Sequence, residues 1–129
     1  MQDKPTSIEL LEALAAFLRE EVAPRLDGGL RFKALVGANV AGIVAREIAM
    51  GPQQDRAQLE RLAALLGEDA GAVPAEETAA RVREWSQDLC RHIDEGDADS
   101  GPWREKLLAH LRACVNEKIA VDSPRAANR

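Results

Sequence analysis

Residues 30–50, LRFKALVGANVAGIVAREIAM, contain the longest uncharged run of the chain and are the strongest indication of its fold. Successive residues lie about 100° apart around an α-helix, which places the large apolar side chains on one broad face and the alanines on the opposite side. A helix that is apolar nearly all round is usually central in its bundle or buried at an oligomer interface. We therefore predict a central helix rich in small residues. The large residues are Phe32, Val36, Val40, Ile43 and Val44, and the small ones are Ala34, Gly37, Ala38, Ala41, Gly42 and Ala45.

The composition of the whole chain favours the all-α class. Alanine supplies 23 of the 129 residues and tyrosine is absent, whereas sheets favour β-branched and aromatic residues. A net charge of −5 removes the electrostatic driving force for general binding to nucleic acid. The longest uncharged run, the 12 residues 34–45, is too short to cross a bilayer, and no export signal opens the chain. We therefore expect a cytoplasmic protein that binds neither nucleic acid nor membranes.

Capping residues, glycines and prolines divide the chain into five predicted helices. Thr6 and Glu9 have the spacing of a capping box, which opens the first helix. Gly51 followed by Pro52 predicts the end of the second helix, because glycine favours a helix C-terminus and proline cannot continue the hydrogen-bond ladder. The five predicted helices cover about residues 7–22, 30–50, 54–66, 75–96 and 102–121.

These helices predict a compact bundle in a single domain, residues 6–122, followed by a frayed tail, residues 123–129. Apolar residues at helical spacing predict which side of each helix faces the core. The predicted stripe of the first helix is Ile8, Leu11, Ala15, Leu18 and Val22, widened by Leu10, Leu14 and Phe17. Those of the last two helices are Val82, Trp85, Leu89 and Ile93, and Trp103, Leu107, Leu111 and Val115.

Five polar or small residues of the second helix are candidate binding residues. Glu47 projects onto the large apolar face, where an ionised carboxylate would need a cationic or hydrogen-bonding partner. Asn39 and Arg46 project within about 20° of each other. Two interpretations stay open, a satisfied polar cluster inside the bundle and a binding cleft or partner surface beside Gly42. The candidates are Arg31, Asn39, Gly42, Arg46 and Glu47.

Two motifs near residue 95 suggest catalysis or calcium binding, and both fail on spacing. His92 and Asp94 match a kinase catalytic loop, but Asp99 stands where that loop has asparagine, and no glycine-rich nucleotide loop is present. Asp97 and Asp99 alternate as calcium ligands do, but Gly101, Pro102 and Leu108 stand where an EF-hand loop has a further oxygen ligand, a glycine and a glutamate. A solvated acidic loop after a helix explains these residues better.

Cysteine and histidine residues supply the ligand types of a zinc site without its spacing. Cys90 and His92 are two residues apart on a predicted helix and point in nearly opposite directions. His110 and Cys114 share a helix face and could form a base and a nucleophile, but the sequence identifies no third group to orient them. We therefore predict no catalytic residue, no metal site and no cofactor.

Both ends of the chain and its central helix resemble a bacterial domain family of unknown function. The matching stretches are PTSIELLEA at 5–13, FL at 17–18, RFKA at 31–34, Asn39, IVARE at 43–47, LAHLR at 108–112 and KIAVDSP at 118–124. Members of this family are small helical domains, often encoded beside aminoglycoside-phosphotransferase-like kinases and acyl-CoA dehydrogenases. The resemblance implies an accessory role in such a system and supplies no catalytic residue. Ser123 stands where the family pattern has asparagine.

Three functional hypotheses follow. The preferred hypothesis is a non-catalytic accessory or interaction module whose partner is a kinase-like or acyl-CoA dehydrogenase-like protein. Association of two copies in a homodimer is an open alternative. If the small-residue face is the association surface, Gly42→Leu or Ala38→Leu should abolish association with the partner or with a second copy. The second is a domain that binds CoA or an acyl group in a cleft lined by Arg31, Asn39 and Arg46. The third is an enzyme that uses a buried Glu47 as general base.

Overall fold

The computed structural model describes residues 3–127 and is helical, with no strand, across that range. Its α-helices are α1 (Ser7–Ala16), α2 (Gly28–Leu66), α3 (Thr78–Asp94), α4 (Pro102–Asp122) and α5 (Pro124–Ala127). Single-turn segments join them, a π-helix at Phe17–Val22 and 3₁₀ turns at Ala23–Arg25, Ala70–Ala72 and Ala75–Glu77. The all-α class is confirmed, and the described residues form five α-helices. The predicted second and third helices are one continuous helix, α2, and α5 lies in the predicted tail.

The start of α1 is the predicted capping box. The backbone N–H of Glu9 donates to Thr6 Oγ1 at 3.2 Å, and the N–H of Thr6 donates to Glu9 Oε2 at 2.6 Å. These reciprocal bonds satisfy amide groups that have no partner within the helix, and they place a carboxylate at the positive end of the helix dipole.

The predicted stop at Gly51 and Pro52 is wrong, because α2 continues through both residues to Leu66. Proline inside a helix removes one hydrogen bond to the carbonyl four residues earlier, here that of Ile48, but its fixed φ is itself helical. Buried residues continue after the proline, at Leu59 and Leu62, and packing of such a face outweighs a local breaker.

Two compact units make up the chain, Met1–Gly51 and Pro52–Arg129. In the N-terminal unit, α1 and the first half of α2 form a helical hairpin. Ala15 of α1 clusters with Ala38 and Ala41 of α2, and Leu11 and Leu18 pack against this cluster. A Cβ added at Gly37 would lie 3.5 Å from Leu18 Cδ1. The small residues of α2 therefore allow close approach of α1 within one chain.

The C-terminal unit contains the larger core, which the second half of α2 shares with α3 and α4. Trp103 packs against this core and its indole N–H donates to the carbonyl of Leu65 at 3.0 Å. The predicted core positions of Val82, Trp85 and Leu89 on α3 and the packing of Trp103 are thus confirmed, whereas Ile93, predicted in the same stripe, is exposed. The buried members of this core are Leu59, Leu62, Ala63, Val82, Trp85, Leu89 and Leu107.

The predicted stripe of the last helix is only partly right. Leu107 is buried, but Leu111 and Val115 are exposed, and the buried side of α4 instead passes through His110 and Val121. The pattern misled because a histidine and a cysteine take inward positions that apolar residues normally occupy. At the C-terminus, where the sequence predicts a frayed tail, Pro124–Ala127 form one helical turn and residues 128–129 lie outside the described range.

By length and composition alone, α2 also meets the criteria for crossing a membrane. Its most apolar window of 18 residues has a mean hydropathy of 1.3 and is 17% buried. The criterion allows up to two charged residues in the window, so α2 meets it although its longest uncharged run is only 12 residues. Core helices and signal sequences pass the same test, so the location of the chain stays a prediction.

Candidate functional site

The large apolar side chains of α2 face outward in the N-terminal unit. Phe32, Val36 and Val40 expose 68%, 44% and 52% of their surface. They lie on the side of the helix opposite Ala38 and Ala41, which pack against α1. We call this surface, with the half-buried Ile43, the α2 face.

A second outward row lies on α1. Leu10, Leu14 and Phe17 are four and three residues apart, which places them on one side of the helix, and each is about half exposed. From the sequence, these three residues were predicted to widen the buried stripe of the first helix. That prediction is wrong, because all three are exposed. Leu11, Ala15 and Leu18 are the residues that turn inward, so this row, the α1 row, is left in contact with solvent.

The geometry of a helical hairpin explains both surfaces. Each helix of a pair can bury one stripe against the other, and the stripe on the α2 side is made of alanines and glycine, which permit a short distance between the helix axes. The bulkier apolar residues of α2 are consequently excluded from the contact. Monomeric soluble proteins rarely leave extended apolar patches in water, and patches of this kind mark interaction sites.

The predicted binding residues do not form one buried polar cluster. Arg31, Asn39 and Glu47 are exposed, whereas Arg46 is half-buried. The guanidinium of Arg46 lies against Gly42, because a Cβ built at that glycine would be 3.3 Å from Arg46 Nη1. The buried general base of the third hypothesis is therefore absent, since Glu47 lies in solvent at the edge of the α2 face.

Ala38 also cannot serve as an association surface. Its exposed fraction is 0%, and it packs against Ala15 inside the same chain. A leucine at this position would disturb the hairpin itself. The small-residue face is thus intramolecular, and the large apolar face of the same helix is the one available to a partner.

A polar cluster in the C-terminal unit was not predicted as a site. Arg61 of α2 forms two parallel hydrogen bonds to the carboxylate of Glu117 on α4, at 2.8 and 2.9 Å. Arg61 Nε also donates to His110 Nδ1 at 3.4 Å, and Nη2 lies 3.8 Å from Cys114 Sγ. The spacing of His110, Cys114 and Glu117 along one helix face could have indicated the cluster, but only the fold brings Arg61 to it.

The hydrogen bonds of this cluster fix the protonation of His110. Because Nδ1 accepts from Arg61, the ring proton of the neutral imidazole is assigned to Nε2, which lies 3.5 Å from Cys114 Sγ and donates to it. Burial lowers the pKa of His110 below its ordinary value of 6.5, and the charge of Arg61 lowers it further, against the opposing effect of Glu117. A base that took a proton from the thiol would need the opposite tautomer.

Among residues 3–127, one group of three or more potential metal ligands lies within 4.8 Å, at the end of α3. It comprises His92, Glu95 and Asp97, all exposed, and His92 Nδ1 lies 2.7 Å from Asp97 Oδ2. Cys90 and Cys114, considered as zinc ligands, belong to no such group in this range. An exposed turn with an imidazole–carboxylate contact accounts for this group.

Comparison with known proteins gives one match. The protein-family model described as a domain of unknown function, DUF6285, matches residues 24–126. No curated protein and no solved structure matches the chain.

Proposed function

Because the chain belongs to the DUF6285 family, a domain of unknown function, we propose a function from its own surface, that of a non-catalytic protein-interaction module. The exposed apolar surface of the N-terminal unit carries this proposal. The α2 face and the α1 row expose six large apolar side chains on a hairpin of two helices, where contact with another protein would remove them from water.

Two observations support a role without catalysis. The pairing of His110 with Cys114 has its proton on the nitrogen that faces the sulfur, so the imidazole donates where a general base would accept. Glu47 is exposed, whereas the general-base hypothesis requires a carboxylate buried in the protein.

The resemblance described above suggests the class of partner, a kinase-like or acyl-CoA dehydrogenase-like protein. We include this partner class in the proposal, since an accessory module of such an enzyme needs a docking surface and no active site of its own. Helices commonly bind one another through rows of apolar side chains, and both exposed rows have this spacing.

Affinity purification from the native host with three tagged variants tests the proposal. We expect the wild-type chain to recover a kinase-like or dehydrogenase-like protein in stoichiometric amount, and at least one of the two surface variants, Leu14→Asp and Val40→Asp, to reduce that recovery at least tenfold. Val115→Asp is the matched control, because Val115 is 54% exposed on α4 and Val40 is 52% exposed on α2. An aspartate buried in an interface is costly, whereas at a solvated position it is tolerated.

Recovery that is equal for all variants would contradict the proposal, as would a wild-type chain that recovers no protein and remains a monomer. Circular dichroism of each variant shows that the helices are retained, so that loss of recovery reports the surface and not unfolding.

A further inference from the structure

We infer that the α2 face binds a second copy of this chain, with the two α2 helices antiparallel and crossing at Val40 on a two-fold axis. The inference rests on the proposed function and assigns a partner to one of its two surfaces. Phe32, Val36 and Val40 supply the apolar contact, and closed two-fold dimers are the commonest form of protein self-association.

The charges on the α2 face carry the choice of partner. Lys33 lies seven residues before Val40 and Glu47 seven residues after it, and seven residues complete nearly two turns of an α-helix. Lysine, valine and glutamate therefore lie on one side of the helix, and all three are exposed. The face is thus an apolar centre between one positive and one negative end.

A two-fold crossing at Val40 makes these ends complementary. In an antiparallel pair, Lys33 lies opposite the partner's Glu47, and Glu47 lies opposite the partner's Lys33, which gives two symmetric ion pairs. A parallel pair would bring Lys33 against the partner's Lys33 and Glu47 against the partner's Glu47. Like charges that face each other across an interface oppose association, so the charge pattern selects the antiparallel arrangement.

The same charges disfavour a lipid surface as the occupant. Insertion of the α2 face into hydrocarbon would remove water from Lys33 and Glu47 and offer neither of them a partner of opposite charge. A second copy desolvates the same apolar residues while each charged side chain meets its counterpart at the rim of the contact. The α1 row of each copy stays available for a different protein.

Sedimentation equilibrium of the full chain, repeated with charge variants, tests this pairing. We expect a wild-type dimer, and dissociation constants at least tenfold higher for Lys33→Glu and for Glu47→Lys, because each creates two like-charge contacts in a two-fold dimer. The double variant Lys33→Glu/Glu47→Lys exchanges the charges and should return to within about threefold of the wild type. Arg31→Glu is the matched control, since this exposed residue lies on the far side of the same helix turn.

The outcomes separate this inference from the proposed function. A wild-type chain that is a monomer, or a dimer unchanged by the single charge variants, overturns the antiparallel pairing. A monomer that binds phospholipid vesicles through the α2 face also overturns the antiparallel pairing. In these cases, recovery of another protein that is lost on Leu14→Asp still supports an interaction module. A dimer that follows the charge rules supports the pairing even when no other protein is recovered.

Discussion

At the scale of single residues, Arg61 organises the polar cluster of the C-terminal unit. Its guanidinium bonds the carboxylate of Glu117 with two nitrogens and meets the imidazole of His110 with a third. Planar, bidentate pairing of this kind suits arginine and restrains both partners. The hydrogen bonding of Arg61 to the carboxylate of Glu117 is the largest cause of the raised pKa of Arg61, so the arginine stays charged beside a neutral histidine.

The buried His110 predicts how stability depends on pH. The unfolded chain takes up a proton at this residue as pH falls through 6.5, whereas the folded chain resists protonation until a lower pH. The contribution of His110 to the free energy of unfolding is therefore complete above pH 6.5 and is lost below it. Urea unfolding between about pH 7 and pH 5, followed by the fluorescence of Trp85 and Trp103, measures this loss.

His110→Gln should flatten the pH dependence in that interval, since glutamine keeps a hydrogen-bonding side chain that does not titrate there. His92→Gln is the control, because it removes an exposed histidine and leaves the buried one. The same decline in the wild type and in His110→Gln would show that the buried imidazole is not its source.

Sequence reasoning recovered part of this residue-scale picture. The capping box of Thr6 and Glu9 was predictable because its contacts are three residues apart. The pairing of His110 with Cys114 was visible as a shared helix face. The role of Arg61 was not predictable, because Arg61 and Glu117 are 56 residues apart in the sequence and nothing local distinguishes Arg61 from the other arginines.

At the scale of elements, α2 shows where local rules fail. The sequence correctly separated its large and small residues onto two sides, because that separation follows from helical geometry alone. Which side packs against α1 depends on how closely two helices approach, and the close contact at Gly37 and Ala38 decides it. The predicted helix end at Gly51–Pro52 was wrong because packing before and after these residues outweighs their local preference to end a helix.

Pro52 should lower the stability of α2. Pro52→Ala restores one backbone hydrogen bond and relieves steric crowding in the helix interior, against a smaller gain in the entropy of the unfolded chain. We expect the free energy of unfolding to rise by about 2 kcal/mol, measured by urea denaturation.

The matched variant is Pro102→Ala, in the first turn of α4, where an amide would have no partner within the helix. This change should give no gain in the free energy of unfolding. An equal effect of both substitutions would mean that the interior position of Pro52 is of no consequence.

At the scale of the whole molecule, the larger buried core and the two exposed apolar surfaces proposed for binding lie in different units. The larger core belongs to the C-terminal unit, and the α1 row and the α2 face belong to the N-terminal unit. The all-α class was predictable from composition and periodicity. The single domain over residues 6–122 stays a prediction, and no local pattern identifies which apolar faces remain uncovered.

Photo-crosslinking at Phe32 shows whether the α2 face contacts another protein chain. Phe32→p-benzoylphenylalanine places a reactive aromatic side chain on the most exposed residue of the α2 face, and the same substitution at Leu111 on α4 is the control. We expect a crosslinked product from position 32, either two copies of the chain or the chain with another protein, and little from position 111. A protein that gives no more product from position 32 than from position 111 would contradict this expectation.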